Sequence, residues 1–219
     1  MRILFIRHGQ TPANVLGQLD TAHPGPGLTA LGQRQAEAVP AALRSEAIDA
    51  IFVSTLLRTQ LTAAPLARER ALESRVIDGI HEIEASDLEG LSSHRAALRY
   101  LDTVFSWAAG DLGLAMPGGP NGHDFFGRFD AAVEAIGAEH DGTVAVVSHG
   151  AAIRTWAGAR ARNVDVDYAA SRALSNTGVV IMRGSVADGW VVEEWDGEPI
   201  GGVELRDATA DDPTGEALG

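Results

Sequence analysis

Short apolar runs separated by helix-length segments constrain the fold of this chain more than any other feature. "RILFI" (2–6), "AIFVS" (50–54) and "TVAVVS" (143–148) are each apolar through the middle and bounded by polar residues. Runs that are apolar on both faces suit buried strands of a parallel sheet. "GVVIMR" (178–183) and "GWVVEEW" (189–195) are joined through a turn at "ADG" (187–189), which predicts an antiparallel edge hairpin. Helix-like segments fill the gaps at 29–44, 58–72, 92–109, 123–140 and 151–162. Thr29 is a candidate N-cap, and Pro40 and Pro65 should kink or shorten the first two. The alternation predicts a three-layer α/β/α sandwich with a mostly parallel central sheet.

A chain of 219 residues, 45% hydrophobic, can bury one sizeable core. The Pro/Gly-rich stretches "HPGPG" (23–27) and "MPGGPNG" (116–122) are loop-sized, so one domain over 1–219 is expected. The absence of cysteine excludes disulfides, thiolate metal sites and cysteine nucleophiles. The apolar run at the N-terminus is too short for a signal-peptide core, and no stretch approaches a membrane span. A cytoplasmic protein without a membrane partner is the expectation. The net charge of −13, with no basic patch, argues against nucleic acid as a partner. Residues 193–216 carry nine acidic side chains against one Arg, so the chain from about 196 to 219 reads as a solvated acidic tail. Any anion site must then be a local positive focus.

Such a focus is legible. In open α/β sheets, active sites gather beyond the carboxyl ends of the strands. After the first run come Arg7, His8, Gly9, Gln10 and Thr11. Ser54 to Arg58 follow the second, and Ser148, His149 and Gly150 end the third. Two histidines and two arginines therefore meet on one rim. No HExxH pair occurs, and guanidinium groups beside the histidines would repel a dication, so no metal is expected. No G-x-S-x-G elbow or phosphate-cradling glycine motif follows a strand. Two His and two Arg do suit a phosphoryl group. Arg donates bidentately to its oxygens, and a neutral imidazole can carry it covalently. The proton donor should lie in "IHEIEASDLEG" (80–90), where Glu82, Glu84, Asp87 and Glu89 are all open as candidates.

"RHGQT" (7–11), Asn14, "LTALGQRQA" (28–36), "VSTLLRTQLTA" (53–63) and "VSHG" (147–150) together resemble the histidine phosphatase superfamily, the phosphoglycerate mutase-like family. The resemblance implies the corresponding fold and a catalytic set of His8, Glu82, His149, Arg7 and Arg58. His8 would be the nucleophile that becomes phosphohistidine. Arg7, Arg58, His149, Asn14, Thr11 and Gly150 would hold substrate, with Gly9 letting the backbone approach the anion. Within the family's E-x-x-x-G-x-x-E-G pattern, counting back from Gly90 gives Glu82 as the acid. Ser86 stands where the pattern has its middle glycine, and Glu84 is the fallback. The implied activity is metal-independent phosphomonoester hydrolysis of a small phosphorylated metabolite, with no cofactor. Mutase-type phosphoryl transfer and a non-catalytic phosphate-binding protein are the alternatives. Residues 91–116 are short for a mutase insertion, and "GGPNGHD" (118–124) lacks the glutamate many members carry. A homodimer is compatible with the sequence.

Overall fold

The computed structural model describes residues 1–210 and 212–216. Six strands form one sheet in the order β3-β2-β4-β1-β5-β6. They are β1 (Arg2–Arg7), β2 (Ile48–Val53), β3 (Ser74–Val76), β4 (Thr143–Ser148), β5 (Val179–Ser185) and β6 (Gly189–Asp196). Strands β1 to β4 pair in parallel. Strand β5 runs antiparallel to β1 and pairs with β6 as the expected edge hairpin. The sheet is thus mostly parallel, as the apolar runs predict. β3 escapes the sequence reading because its three residues, Ser-Arg-Val, are too few and too polar to stand out.

Seven helices are described: α1 (Pro12–Val15), α2 (Ala30–Ala42), α3 (Leu57–Arg70), α4 (His94–Ala108), α5 (Gly122–Glu139), α6 (Gly150–Arg160) and α7 (Val166–Ser171). Thr29 caps α2 as expected, its side chain accepting from the Gly32 N–H. Helix α2 ends two residues after Pro40, whereas α3 runs on through Pro65. α1 and α7 were not expected. They are short and held by their caps: Thr11 pairs reciprocally with Asn14, and Asp165 accepts from the Tyr168 N–H. None of the described helices is long and apolar enough to cross a membrane.

Strand alternation sorts the core into two layers. Leu4, Ile6, Ile51, Val53, Ala145 and Val147 face Val39 of α2, the C-cap residue Leu43, and Ala63 and Leu66 of α3. Ile3, Phe5, Phe52, Val144 and Val146 face the other way, against α4 to α7. Phe5 packs there on Phe129 and Trp156. These layers fix the sheet from both sides and leave its carboxyl rim to present side chains.

The segment after β6 corrects the expectation of a solvated tail. It forms a 3-10 turn at Val203–Leu205 and returns across the rim, where Pro213, Thr214 and Gly215 are buried. The reason is a set of buried donors on the body that its carbonyls and side chains satisfy. Arg154 of α6 donates to the carbonyls of Thr214 and Glu216, and the Leu174 N–H donates to the Gly215 carbonyl. Residues 211 and 217–219 of the expected tail lie outside the described residues.

Candidate active site

The site is built at the carboxyl ends of β1, β2 and β4. β1 and β4 pair in register, with Arg7 opposite Ser148, so the residues that follow, His8 and His149, emerge side by side. Their ring centroids are 5.2 Å apart. His8, Thr11, Asn14, Arg58 and Glu82 line one small cavity, together with Asp20 and Thr214. Arg7 lies behind it, fully buried, and Gly150 abuts the Arg7 side chain. The rim thus brings together Arg7, His8, Thr11, Asn14, Arg58, Glu82, His149 and Gly150, while Glu84, Asp87 and Glu89 lie outside the cavity.

His8 is held in one tautomer. Its Nδ1 lies 2.8 Å from the Gly9 carbonyl, which can only accept, so Nδ1 carries the proton. Nε2 is left with its lone pair. Burial, then the guanidinium groups of Arg58 and Arg7, push the imidazole well below its ordinary value of 6.5. His149 is pushed down likewise, by burial first, then Arg58 and His8. Its Nε2 meets the Ser54 hydroxyl at 2.8 Å, and its Nδ1 has no partner among the described residues. Arg7 Nε and Arg58 Nε and Nη1 are also buried without partners. Three arginine nitrogens and one imidazole nitrogen on the residues flanking His8 thus lack a hydrogen-bond partner among the described residues, Arg58 Nη1 reaching only the Asp20 carboxylate at 3.8 Å. Unpaired buried donors are costly unless an anion takes them up.

Glu82 is 2% exposed. Its Oε1 accepts from the N–H groups of Ile83 (3.0 Å) and Ala152 (2.9 Å), and its Oε2 from Ala151 (3.2 Å). The last two belong to the first turn of α6. Burial nevertheless raises the carboxyl above its ordinary 4.5, against those donors and Arg58. Glu84 behaves oppositely. Burial pushes it up too, but His81 and Arg128 hold it down at about 2. The contrast separates two carboxylates that sequence alone left open. Glu89 instead secures the 21–22 turn through the backbone N–H groups of Thr21 and Ala22.

Two expected contacts read differently here. The Thr11 hydroxyl is engaged with Asn14 in the cap of α1 rather than free for substrate. Gly9 is required by packing: a Cβ there would sit 2.7 Å from the Gly32 carbonyl. Residues missed in the sequence support the first layer. Thr62 accepts from the Gly9 N–H, and Asn176 donates to the His8 carbonyl. Arg128 of α5 donates to the carbonyls of Gly79, His81 and Glu82 and so fastens the loop that carries Glu82. Its signal was an Arg beside Phe125, Phe126 and Phe129, a charge on an apolar helix face. Ser86, at the family's glycine position, has the left-handed φ of 53° that the glycine would favour. The 118–124 loop packs on Ser86 and Asp87 and caps α5 through Asn121, and none of it lines the cavity.

This sheet order, with paired histidines and arginines at its carboxyl rim, defines a phosphoglycerate mutase-like phosphatase fold. The chain belongs to the histidine phosphatase superfamily (branch 1), whose family pattern matches residues 3–197. It is 38% identical over 221 residues to the PE-PGRS family protein PE_PGRS11 of Mycobacterium tuberculosis, covering 93% of this chain but only 38% of that protein. It is 31% identical over 153 residues to the adenosylcobalamin/alpha-ribazole phosphatase of Escherichia coli, covering 68% of this chain and 73% of the relative. Among solved structures, a mycobacterial glucosyl-3-phosphoglycerate phosphatase in complex with VO3 superposes with a TM-score of 0.74 at 25% identity. That match covers 89% of this chain and 98% of the other.

Proposed function

We propose that the protein is a metal-independent phosphomonoester hydrolase acting on a small phosphorylated metabolite through a phosphohistidine at His8. In the first step the His8 Nε2 lone pair forms the P–N bond as the ester P–O bond breaks. Glu82 gives its proton to the departing oxygen. In the second step Glu82, now a carboxylate, takes a proton from water, whose oxygen attacks phosphorus. The P–N bond breaks and inorganic phosphate leaves. Arg58, Arg7, Asn14, the His149 Nδ1 and the start of α6 at Gly150 hold the equatorial oxygens, where charge spreads during transfer.

One observation carries this reading. The two arginines flanking a neutral histidine whose free nitrogen is Nε2 carry three buried nitrogens without a hydrogen-bond partner among the described residues. The raised Glu82 carboxyl in the same cavity supports it. So does the VO3 bound by the mycobacterial phosphatase, since vanadate is a phosphoryl analogue.

The test is a rapid quench with 32P-labelled substrate. Label bound to protein should be acid-labile and base-stable, should map to His8, and should vanish in His8→Ala, while turnover persists in EDTA. Label on a serine or carboxylate would refute the mechanism. Efficient isomerisation of 3-phosphoglycerate primed by 2,3-bisphosphoglycerate, without net phosphate release, would replace hydrolysis by the mutase alternative.

A further inference from the structure

The returning C-terminal segment ends on the phosphate-binding arginine itself. Asp212 meets Arg7 through both carboxylate oxygens. Oδ2 lies 2.6 Å from Nη1, and Oδ1 accepts from Nη2 at 2.7 Å. Oδ1 also accepts from Asn14 Nδ2 at 3.2 Å. This fork-on-fork pairing is the geometry an arginine offers to two phosphate oxygens. Two of the residues assigned to the phosphoryl group are therefore already engaged by a carboxylate of the same chain. The Arg7 Nη2 also donates to the Thr214 hydroxyl, and Thr214 lines the His8 cavity.

The segment is built to sit there. The N–H groups of Gly215 and Glu216 both donate to the Asp212 carbonyl, closing a compact turn. A Cβ at Gly215 would overlap the Arg7 guanidinium, and one at Gly150 would lie 2.5 Å from the Thr214 carbonyl. Arg154, itself fully buried, anchors the far side through the carbonyls of Thr214 and Glu216. By contrast, the neighbouring Asp207 accepts from Gln10 Nε2 and makes no hydrogen bond or ion pair with either catalytic arginine.

We propose that residues 212–216 are an intramolecular ligand of the phosphate site, with Asp212 in the position of two phosphoryl oxygens. Substrate and product phosphate must displace it to reach the Arg7 fork. This rests on the reading of Arg7 as a phosphate ligand. When only the tail-released fraction is competent to bind, the apparent Kd is the intrinsic one divided by that fraction. A tail seated nine-tenths of the time or more thus weakens phosphate at least about tenfold.

The test is calorimetric titration of the full-length protein with inorganic phosphate at fixed ionic strength. Asp212→Ala and Asp212→Asn should each bind phosphate about tenfold more tightly than wild type. Asp207→Ala removes an equal charge nearby and should stay within about twofold of wild type, because Asp207 does not compete for the fork. Unchanged or weaker binding in both Asp212 variants would overturn the proposal. An equal gain in Asp207→Ala would also overturn it, since net charge alone would then explain the effect. The readout needs no turnover. A gain in Asp212→Ala without any His8-dependent hydrolysis would sink the hydrolase and leave the tail ligand standing, and the reverse pattern would do the opposite.

Discussion

Replacing Glu82 by Gln tests the assignment of the general acid most directly. Glutamine keeps the shape but holds no transferable proton at the leaving oxygen. A positioned acid contributes roughly 10^2–10^4 to rate, or about 3–5 kcal/mol of barrier. That loss should fall on kcat/KM for alkyl phosphates, whose departing alkoxide needs the proton as the P–O bond breaks. It should nearly disappear for an aryl phosphate with a nitrated ring, whose phenolate leaves unprotonated. The structure adds a second, separable effect. Both Glu82 oxygens accept from backbone N–H groups, so in either orientation the glutamine amide turns an N–H onto a donor of Ile83, Ala151 or Ala152. Leaving a buried backbone donor unmet costs about 1–3 kcal/mol. For a chain of this size the melting temperature should fall by roughly 2–12 °C. The assay is kcat/KM for matched alkyl and aryl phosphates in wild type and Glu82→Gln, beside thermal melts. An equal loss for both leaving groups would refute Glu82 as the acid and leave it a structural cap of α6.

Two other outcomes follow from the same geometry. In the pH profile of kcat/KM, activity requires neutral His8 and protonated Glu82. It should rise with pH through a His8 value depressed below 6.5 and fall through a Glu82 value raised above 4.5, after allowance for the substrate's own ionisation. Glu82→Gln should lose the falling limb, and a rising limb at the ordinary histidine value would contradict a buried nucleophile. Arg128 acts only through the 79–84 loop, so Arg128→Met should lower kcat/KM for alkyl phosphates by about tenfold or more while sparing activated aryl phosphates. Arg128→Lys should restore part of the loss, and a uniform loss across leaving groups would mark Arg128 as structural alone.

What the sequence made legible is what local patterning carries. The apolar runs at 2–6, 50–54 and 143–148 and the hairpin at 178–195 place the strands. The strand ends in turn place Arg7, His8, Arg58 and His149 on one rim. Arg7, His8 and His149 end or directly follow a strand and Arg58 opens the helix just after one, so no long-range contact had to be guessed. The acid was harder. Glu82 and Glu84 are two residues apart and equally acidic in sequence. What separates them is that Glu82 turns into the dry start of α6, while Glu84 meets Arg128, which is 44 positions away. β3 and α1 were missed because three or four residues carry too little periodicity to rise above a loop.

The C-terminal segment shows where such reading ends. Both halves of the contact stand in the sequence: buried arginines at the rim that demand an anion, and nine acidic side chains after residue 192 that lack cations nearby. Composition alone favours water for the acids, since exposed charges gain little by pairing. It misreads them because Arg7 is not exposed. Its fork is buried between the strand end and the returning segment itself, so a carboxylate arriving from 205 positions away meets a partner screened far less than any surface charge. A focus strong enough to draw a phosphate monoester into a chain of net charge −13 is also strong enough to draw in the chain's own aspartate.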